Sequence, residues 1–164
     1  MFLRILICTV FLAAPVTTLA AEKPCKTINA HYVSASSPLY KLDFVDLKGK
    51  EEISSDVGIH IQNGIKGEEI WYFFDQGTTA RISLISTTDL TVKDWHSPSD
   101  GDPRPHGVAQ FIAMDLNGKI PDQPPKADSI APHYIIIPEF VGGFRFSKSP
   151  YSPSAFVFEK CTGD

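Results

Sequence analysis

Catalytic motifs are what this sequence most clearly lacks. It contains no Gly-rich phosphate-binding loop, no Gly-x-Ser-x-Gly nucleophile turn and no His-Glu-x-x-His metal motif. Each absence removes an enzyme class: the P-loop NTPases, the α/β-hydrolases and the zinc proteases that use this motif. We therefore predict a protein that is not an enzyme and that uses neither a cofactor nor a metal.

Positive charge is also scarce. Lys and Arg number 15 against 19 Asp and Glu, which gives a formal net charge of −4 at pH 7. The basic residues are scattered, without the interleaved aromatic residues of a surface that binds single-stranded nucleic acid. A mildly acidic surface is unsuited to nucleic acid and to anionic lipid. We therefore exclude nucleic acid as a partner and expect another protein.

Long apolar runs are absent except at the N terminus. Residues 5–14 form an apolar run behind Arg4, and Ala20 ends a stretch of small residues suited to cleavage. This order is typical of a signal peptide. The run is shorter than the roughly 18 apolar residues that span a bilayer. We expect residues 1–20 to be cleaved and residues 21–164 to form one domain, periplasmic or secreted, without a stable membrane anchor.

Cysteine is rare, with three residues in the whole chain. Cys8 lies in the predicted signal peptide, which leaves Cys25 and Cys161 near the two ends of the domain. An even pair in an oxidising compartment predicts a disulfide. Neither residue belongs to a redox Cys-x-x-Cys motif. A bond between them would close nearly the whole domain into one covalent loop.

Short β-strands are what the rest of the chain predicts. Segments of alternating apolar and polar residues, or of β-branched and aromatic residues, are separated by Gly, Pro, Asn and Ser turns. The predicted strands are 28–34, 39–47, 57–62, 69–75, 80–86, 90–95, 108–115, 133–137, 140–146 and 155–160. Nine or ten short strands predict an all-β fold, an antiparallel sandwich or barrel closed by the terminal disulfide.

The centre of this fold is predicted at a hairpin, residues 69–86. Its first strand has Trp71 and Phe73 on one side and further aromatic and aliphatic residues on the other, so both faces should be buried. Its second strand alternates apolar and polar residues and should be buried on one face. Trp71 is accordingly a predicted core residue.

Two Pro-rich segments, Lys119–Pro132 and Ser147–Ser154, are predicted to bind a partner. A stiff loop loses little entropy on binding, and tyrosine gives a large contact area at low entropic cost. Successive turns of a predicted meander alternate between the two ends of the sheet, which places both segments at one end. The predicted partner-binding rim comprises Gln123, Pro124, Pro125 and Tyr151.

A further candidate is the loop 95–106, predicted at the opposite end. We include its Trp95 and Arg104 among the partner-binding residues. Its acidic and imidazole side chains suggest an alternative function, a hydrolase or metal-dependent enzyme centred on this loop. Those side chains are His96, Asp100, Asp102 and His106. Their spacing does not match an EF-hand loop, so we predict no metal site.

In export, size, disulfide and β-rich character, the chain resembles many small exported bacterial proteins. Among these are inhibitors and immunity proteins that neutralise toxic hydrolases in the periplasm. The resemblance assigns a role to no residue. It implies an exported non-catalytic binding protein that neutralises a toxic or hydrolytic partner through its loops. Besides the enzyme, a barrel that carries a small apolar ligand is an alternative, which an aromatic content of 11% permits.

Overall fold

The computed structural model describes residues 24–50, 54–64, 67–75, 81–99, 101–138 and 155–163. These form an antiparallel β-barrel of eight strands, preceded by a short 3-10 helix, Thr27–Asn29. The strands are β1 (Ala30–Ser34), β2 (Tyr40–Asp46), β3 (Val57–Asn63), β4 (Glu68–Asp75), β5 (Ile82–Thr87), β6 (Val108–Met114), β7 (Tyr134–Ile136) and β8 (Phe156–Cys161). The predicted signal peptide and the predicted strand 140–146 lie outside the described residues.

Every strand pairs with the next one along the chain, and β8 pairs with β1, so the sheet closes on itself. The predicted all-β antiparallel class is confirmed, and of the two predicted architectures the barrel is the one formed. Closure removes the free strand edges that would otherwise be available for aggregation.

Inward-facing side chains from all eight strands form one apolar core. β2 shows the pattern, since Tyr40, Leu42 and Phe44 are buried and the residues between them are more exposed. The bulkiest fully buried side chains are Tyr32, Tyr72, Phe74 and Phe156. The interior is therefore packed with side chains, as in other small barrels.

A second apolar cluster lies on the outer face of the barrel. It comprises Leu47, Trp71, Phe73, Ile85, Leu90 and Trp95. Both faces of β4 are buried, as predicted. The prediction that β5 is buried on one face was wrong, since both faces are buried from Ile85 to Thr87. The predicted strand 90–95 was also wrong, since these residues form turns. Both errors have one cause: Leu90 and Trp95 of the segment after β5 pack on the outer face of the barrel and bury it.

The loops divide between the two ends of the barrel, because the strand direction alternates. The N-terminal segment 24–29, the 47–56 loop and the 115–133 loop lie where β1 begins, at what we call the N-terminal end. The 88–107 loop begins and ends at the opposite end, where β7 also ends and β8 starts. Its residues 90–95 run back along the outer wall, so that Lys50 Nζ of the 47–56 loop donates to the Val92 carbonyl at 3.0 Å.

The predicted disulfide between Cys25 and Cys161 is present, with the two Cα atoms 5.8 Å apart. Cys161 is the last residue of β8 and pairs with Ala30, the first residue of β1. The bond therefore ties the N-terminal segment to the strand pair that closes the barrel. A disulfide fits an oxidising, extracellular compartment. Within the described ranges, no helix has the length and apolar character needed to cross a membrane.

Candidate binding site at the N-terminal end of the barrel

The 115–133 loop begins with a turn built on Asp115. Its Oδ1 accepts the backbone N–H groups of Asn117 and Lys119 at 2.8 and 2.9 Å, and its own N–H donates to the Lys119 carbonyl at 3.1 Å. These hydrogen bonds, that from Lys119 first, lower the pKa of Asp115. The first half of the loop is thus braced by contacts within itself.

The second half of the loop is held by residues 25–28, which we call the strap. The Thr27 N–H donates to the Ser129 carbonyl at 2.9 Å, and the Ala131 N–H donates to the Cys25 carbonyl at 2.9 Å. The hydroxyl oxygens of Thr27 and Ser129 are 2.9 Å apart. The disulfide and these contacts thus act on the same short segment.

Two further bonds join this half of the loop to the barrel. The Ala127 N–H donates to Oδ1 of Asp56 at 2.9 Å, and the Ala127 side chain is only 2% exposed and belongs to the barrel core. From inside the barrel, the Tyr32 hydroxyl donates to the Pro132 carbonyl at 2.8 Å. The loop therefore closes over the N-terminal end of the barrel.

A cleft of about 430 Å³ lies along this loop. Its apolar wall includes Pro121, Pro124, Pro125, Ile130, Ala131 and Pro132. Gln123 and Lys126 add polar groups to the lining. Prolines have no backbone N–H, so such a wall offers few donors and suits apolar groups.

Three large aliphatic side chains of the same loop face solvent. Leu116, Ile120 and Ile130 are 73, 58 and 72% exposed. We call these three residues, with the cleft, the apolar face. Exposed aliphatic residues beside a cleft on an ordered loop are typical of a contact surface. These three residues were not among the contact residues predicted from the sequence.

The structure brings three predicted rim residues together on this loop. Gln123 is exposed, Pro125 half-buried and Pro124 buried, and all three line the cleft. Tyr151 lies outside the described residues, so its place in the rim stays a prediction. The meander from which Tyr151 was placed in the rim has a further strand, 140–146, between the strands that correspond to β7 and β8. In the structure β7 pairs directly with β8. The described ends of the intervening segment therefore lie at the opposite end of the barrel.

Trp95 and Arg104 belong to the 88–107 loop and do not line the cleft that the other predicted contact residues share. Trp95 is only 9% exposed, and its Nε1–H donates to the Thr87 hydroxyl at 2.9 Å. Lys50 Nζ lies 5.3 Å from the Trp95 ring centroid. Packing on the barrel wall therefore accounts for Trp95, whereas Arg104 is exposed.

The metal alternative involved the same loop. His96 Nδ1 lies 3.3 Å from the Ser97 carbonyl oxygen, and the Asp102 carboxylate accepts the Ser99 N–H at 2.6 Å. Asp100 is outside the described residues. Among the residues described, no three His, Cys, Asp or Glu side chains form a group suited to a metal ion.

A relay of hydrogen bonds that sequence analysis missed crosses the outer wall near the disulfide. His31 Nδ1 lies 2.6 Å from Oδ1 of Asp43, and His31 Nε2 lies 2.7 Å from the Thr162 hydroxyl. A carboxylate only accepts, so the Nδ1–H of His31 donates to Asp43, while Nε2 contacts the hydroxyl on the other side of the ring. The order acid, imidazole, hydroxyl is that of a hydrolytic triad. Thr162 is exposed, and its N–H donates to the Asn29 carbonyl at 2.8 Å. These hydrogen bonds of Thr162 thus join the C-terminal residues to β1 and the segment before it, and we assign the relay this structural role.

The alternation of Val57, Ile59 and Ile61 with His60 predicts that His60 lies on a solvent face of its strand, and this prediction is wrong. It is 9% exposed and stacks on Trp71 across the β3–β4 pair. Burial, the largest cause, lowers its pKa, while Glu69, Asp43 and Asp89 act in the opposite direction. The sequence alternation predicted correctly that His60 points outward, but the apolar cover of the outer wall comes from a distant segment.

Comparison with known proteins gives no match, whether to protein-family models, to curated proteins or to solved structures.

Proposed function

We propose that this protein is an exported, non-catalytic binding protein of the periplasmic inhibitor or immunity type, which blocks a toxic or hydrolytic partner protein with its apolar face. One observation carries the proposal: Leu116, Ile120 and Ile130 are exposed on an ordered loop beside an apolar cleft. Covering these side chains with a partner would remove apolar area from water.

The surroundings of the apolar face favour a protein as the occupant. Charged residues of both signs, Lys119, Asp122 and Lys126, border it and are exposed. An apolar centre with a polar rim is the usual anatomy of a protein–protein interface. Because the loop is hydrogen bonded at both halves, ordering it on binding costs little conformational entropy.

The carrier alternative has less support, because side chains from all strands fill the barrel interior. A small apolar ligand would have to use the cleft instead. Sequence prediction adds Tyr151 to the proposed contact surface and the periplasm to the proposed location.

The experiment compares two kinds of aspartate variant of the exported protein. Leu116→Asp/Ile130→Asp places charge on the apolar face, and Val92→Asp places charge on an aliphatic residue of the 88–107 loop that is 52% exposed and does not line the cleft. Each protein is immobilised and incubated with the exported fraction of the producing organism. A captured hydrolase is then assayed for inhibition by free wild-type protein.

The proposal expects a hydrolytic or toxic protein that the wild type and Val92→Asp capture and inhibit, and that the double variant releases. Capture that both variants retain would overturn the assignment of the apolar face. If gel filtration instead shows a wild-type dimer that the double variant abolishes, the face binds a second copy and the proposed function is wrong.

A further inference from the structure

The disulfide and the apolar face are connected through the strap. Cys25 is bonded to Cys161 through its sulfur, and its carbonyl accepts the Ala131 N–H at 2.9 Å. Cys161 is itself fixed in the barrel by pairing with Ala30. A single residue, Cys25, thus joins the barrel covalently on one side and the cleft wall by a hydrogen bond on the other.

The next residue of the strap reaches an exposed member of the apolar face. Lys26 forms an isolated antiparallel bridge with Ile130, and its Nζ lies 3.0 Å from Oδ1 of Asp128. This ion pair lowers the pKa of Asp128, but both side chains are more than half exposed, so the pair by itself contributes little stability. The disulfide is the covalent link among the contacts that hold the strap, which otherwise consist of hydrogen bonds and packing.

The disulfide is accessible to a reductant, since Cys161 is exposed and Cys25 half-buried. The segment that it holds is short and precedes β1, so after cleavage only noncovalent contacts would keep the strap on the loop: its hydrogen bonds, the Lys26–Asp128 ion pair and the packing of Cys25 and Ile28 against the core. Terminal segments without a tether are commonly mobile.

We propose that the Cys25–Cys161 disulfide is a redox switch for the apolar face: oxidised, it holds residues 126–131 in the binding conformation through the strap, and reduced, it releases them. The role of this face in partner binding rests on the function proposed above. Reduction by a dithiol breaks the sulfur–sulfur bond. The dithiol supplies two electrons and two protons, leaving two cysteine thiols and a cyclic disulfide of the reductant.

The two halves of the loop provide an internal control. The Ala131 and Thr27 amides form hydrogen bonds between the strap and the second half of the loop. The Asn117 and Lys119 amides instead donate to Asp115 within the first half. Amide hydrogen exchange of the exported protein is measured before and after reduction with dithiothreitol, and on Cys25→Ala/Cys161→Ala. We expect exchange at the first two amides to rise about tenfold or more, and exchange at the other two to stay within about twofold.

Unchanged exchange at Ala131 and Thr27 would overturn the switch, and so would an equal rise at all four amides in a barrel that stays folded. If reduction unfolds the barrel, the same exchange measurement is made on the oxidised Thr27→Val variant instead. This variant removes the hydroxyl that contacts Ser129 while the disulfide stays intact. Faster exchange at Ala131 with no change at Asn117 supports the coupling, and no change at Ala131 refutes it.

Measuring the affinity of the captured partner for the oxidised and the reduced protein distinguishes the redox switch from the proposed binding function of the apolar face. Faster exchange with unaltered binding would overturn the switch as a control of binding. If exchange responds but the apolar-face variants bind normally, the coupling stands and the proposed function fails.

Discussion

His60 and Trp71 stack face to face on the outer wall of the barrel, with ring centroids 3.8 Å apart and planes within 5°. They are direct partners in the β3–β4 ladder. Within the described part of the chain, the buried Nε2 of His60 makes no hydrogen bond, and Oε2 of Glu69 lies 3.9 Å away. The fold thus buries an imidazole that it can hold more easily neutral than charged.

This arrangement predicts a loss of stability in mild acid. Burial lowers the pKa of His60 in the folded protein, so below about pH 6.5 the unfolded chain takes up a proton more readily than the folded one. The free energy of unfolding should fall as the pH drops through this value and level off below the folded pKa. Urea midpoints at about pH 7.5 and 5 measure the change.

The control for the acid effect is His60→Gln, which cannot titrate. Its midpoint should depend less on pH than that of the wild type. Some dependence will remain, because burial also lowers the pKa of His106. Equal pH dependence in both proteins would mean that His60 does not contribute.

Gly58→Ala should destabilise the outer wall. A Cβ at this position would overlap Leu90 Cδ1 and lie 2.9 Å from the Tyr72 carbonyl oxygen. Overpacking of this kind costs about 1–3 kcal/mol. Because the overlap is partly with Leu90, Gly58→Ala/Leu90→Ala should cost less than the sum of the single variants, which urea denaturation measures. Strict additivity would contradict the predicted contact.

Trp71→Ala should lower the free energy of unfolding by roughly 3–5 kcal/mol, because the residue is buried in the outer cluster. Val92→Ala is the matched control: its side chain is about half exposed, and the change should stay within about 0.5 kcal/mol. Chemical denaturation followed by circular dichroism measures both. A small effect of Trp71→Ala would show that the outer cluster is loosely packed.

Strand alternation explains why so much of the barrel could be predicted. Runs such as Tyr40, Leu42 and Phe44 encode a buried face locally, and each of the eight observed strands overlaps a predicted one. Closure through β1 and β8 depends on pairing between the two ends of the chain, which local pattern does not encode. For this reason a sandwich and a barrel were equally compatible with the sequence.

The outer wall and the site were harder to predict, for a related reason. Trp95 and His60 were predicted at the surface, but residues on other strands bury them: Trp95 packs against Phe73, and His60 stacks on Trp71. Gln123, Pro124 and Pro125 were selected for the proline content of their segment, and the structure places all three along the cleft, while their role in partner binding stays a prediction. The exposure of Leu116 and Ile130 was not predicted, since a lone aliphatic residue in a loop is as often buried as exposed.

We expect the relay of Asp43, His31 and Thr162 to hold the C-terminal residues on the barrel and not to hydrolyse esters. Thr162→Val removes the hydroxyl that lies 2.7 Å from His31 Nε2. We expect faster hydrogen exchange at the Thr162 amide, because the C-terminal residues lose a side-chain contact, and no change in p-nitrophenyl acetate hydrolysis. Esterase activity in the wild type that disappears in Thr162→Val would contradict this and revive the hydrolase alternative.

Residues at the two ends of the barrel should differ in their effect on partner binding. Ile120 is exposed beside the cleft and Gln123 lines it, whereas Arg104 belongs to the opposite end. We expect Ile120→Ala to weaken binding by about tenfold, because it removes a central apolar contact. Gln123→Ala should weaken it less, and Arg104→Ala should leave it unchanged. Calorimetry with the captured partner measures all three, and circular dichroism confirms that each variant is folded. A loss confined to Arg104→Ala would move the binding site to the 88–107 loop, since a compact interface on one end of the barrel cannot extend to residues on the other.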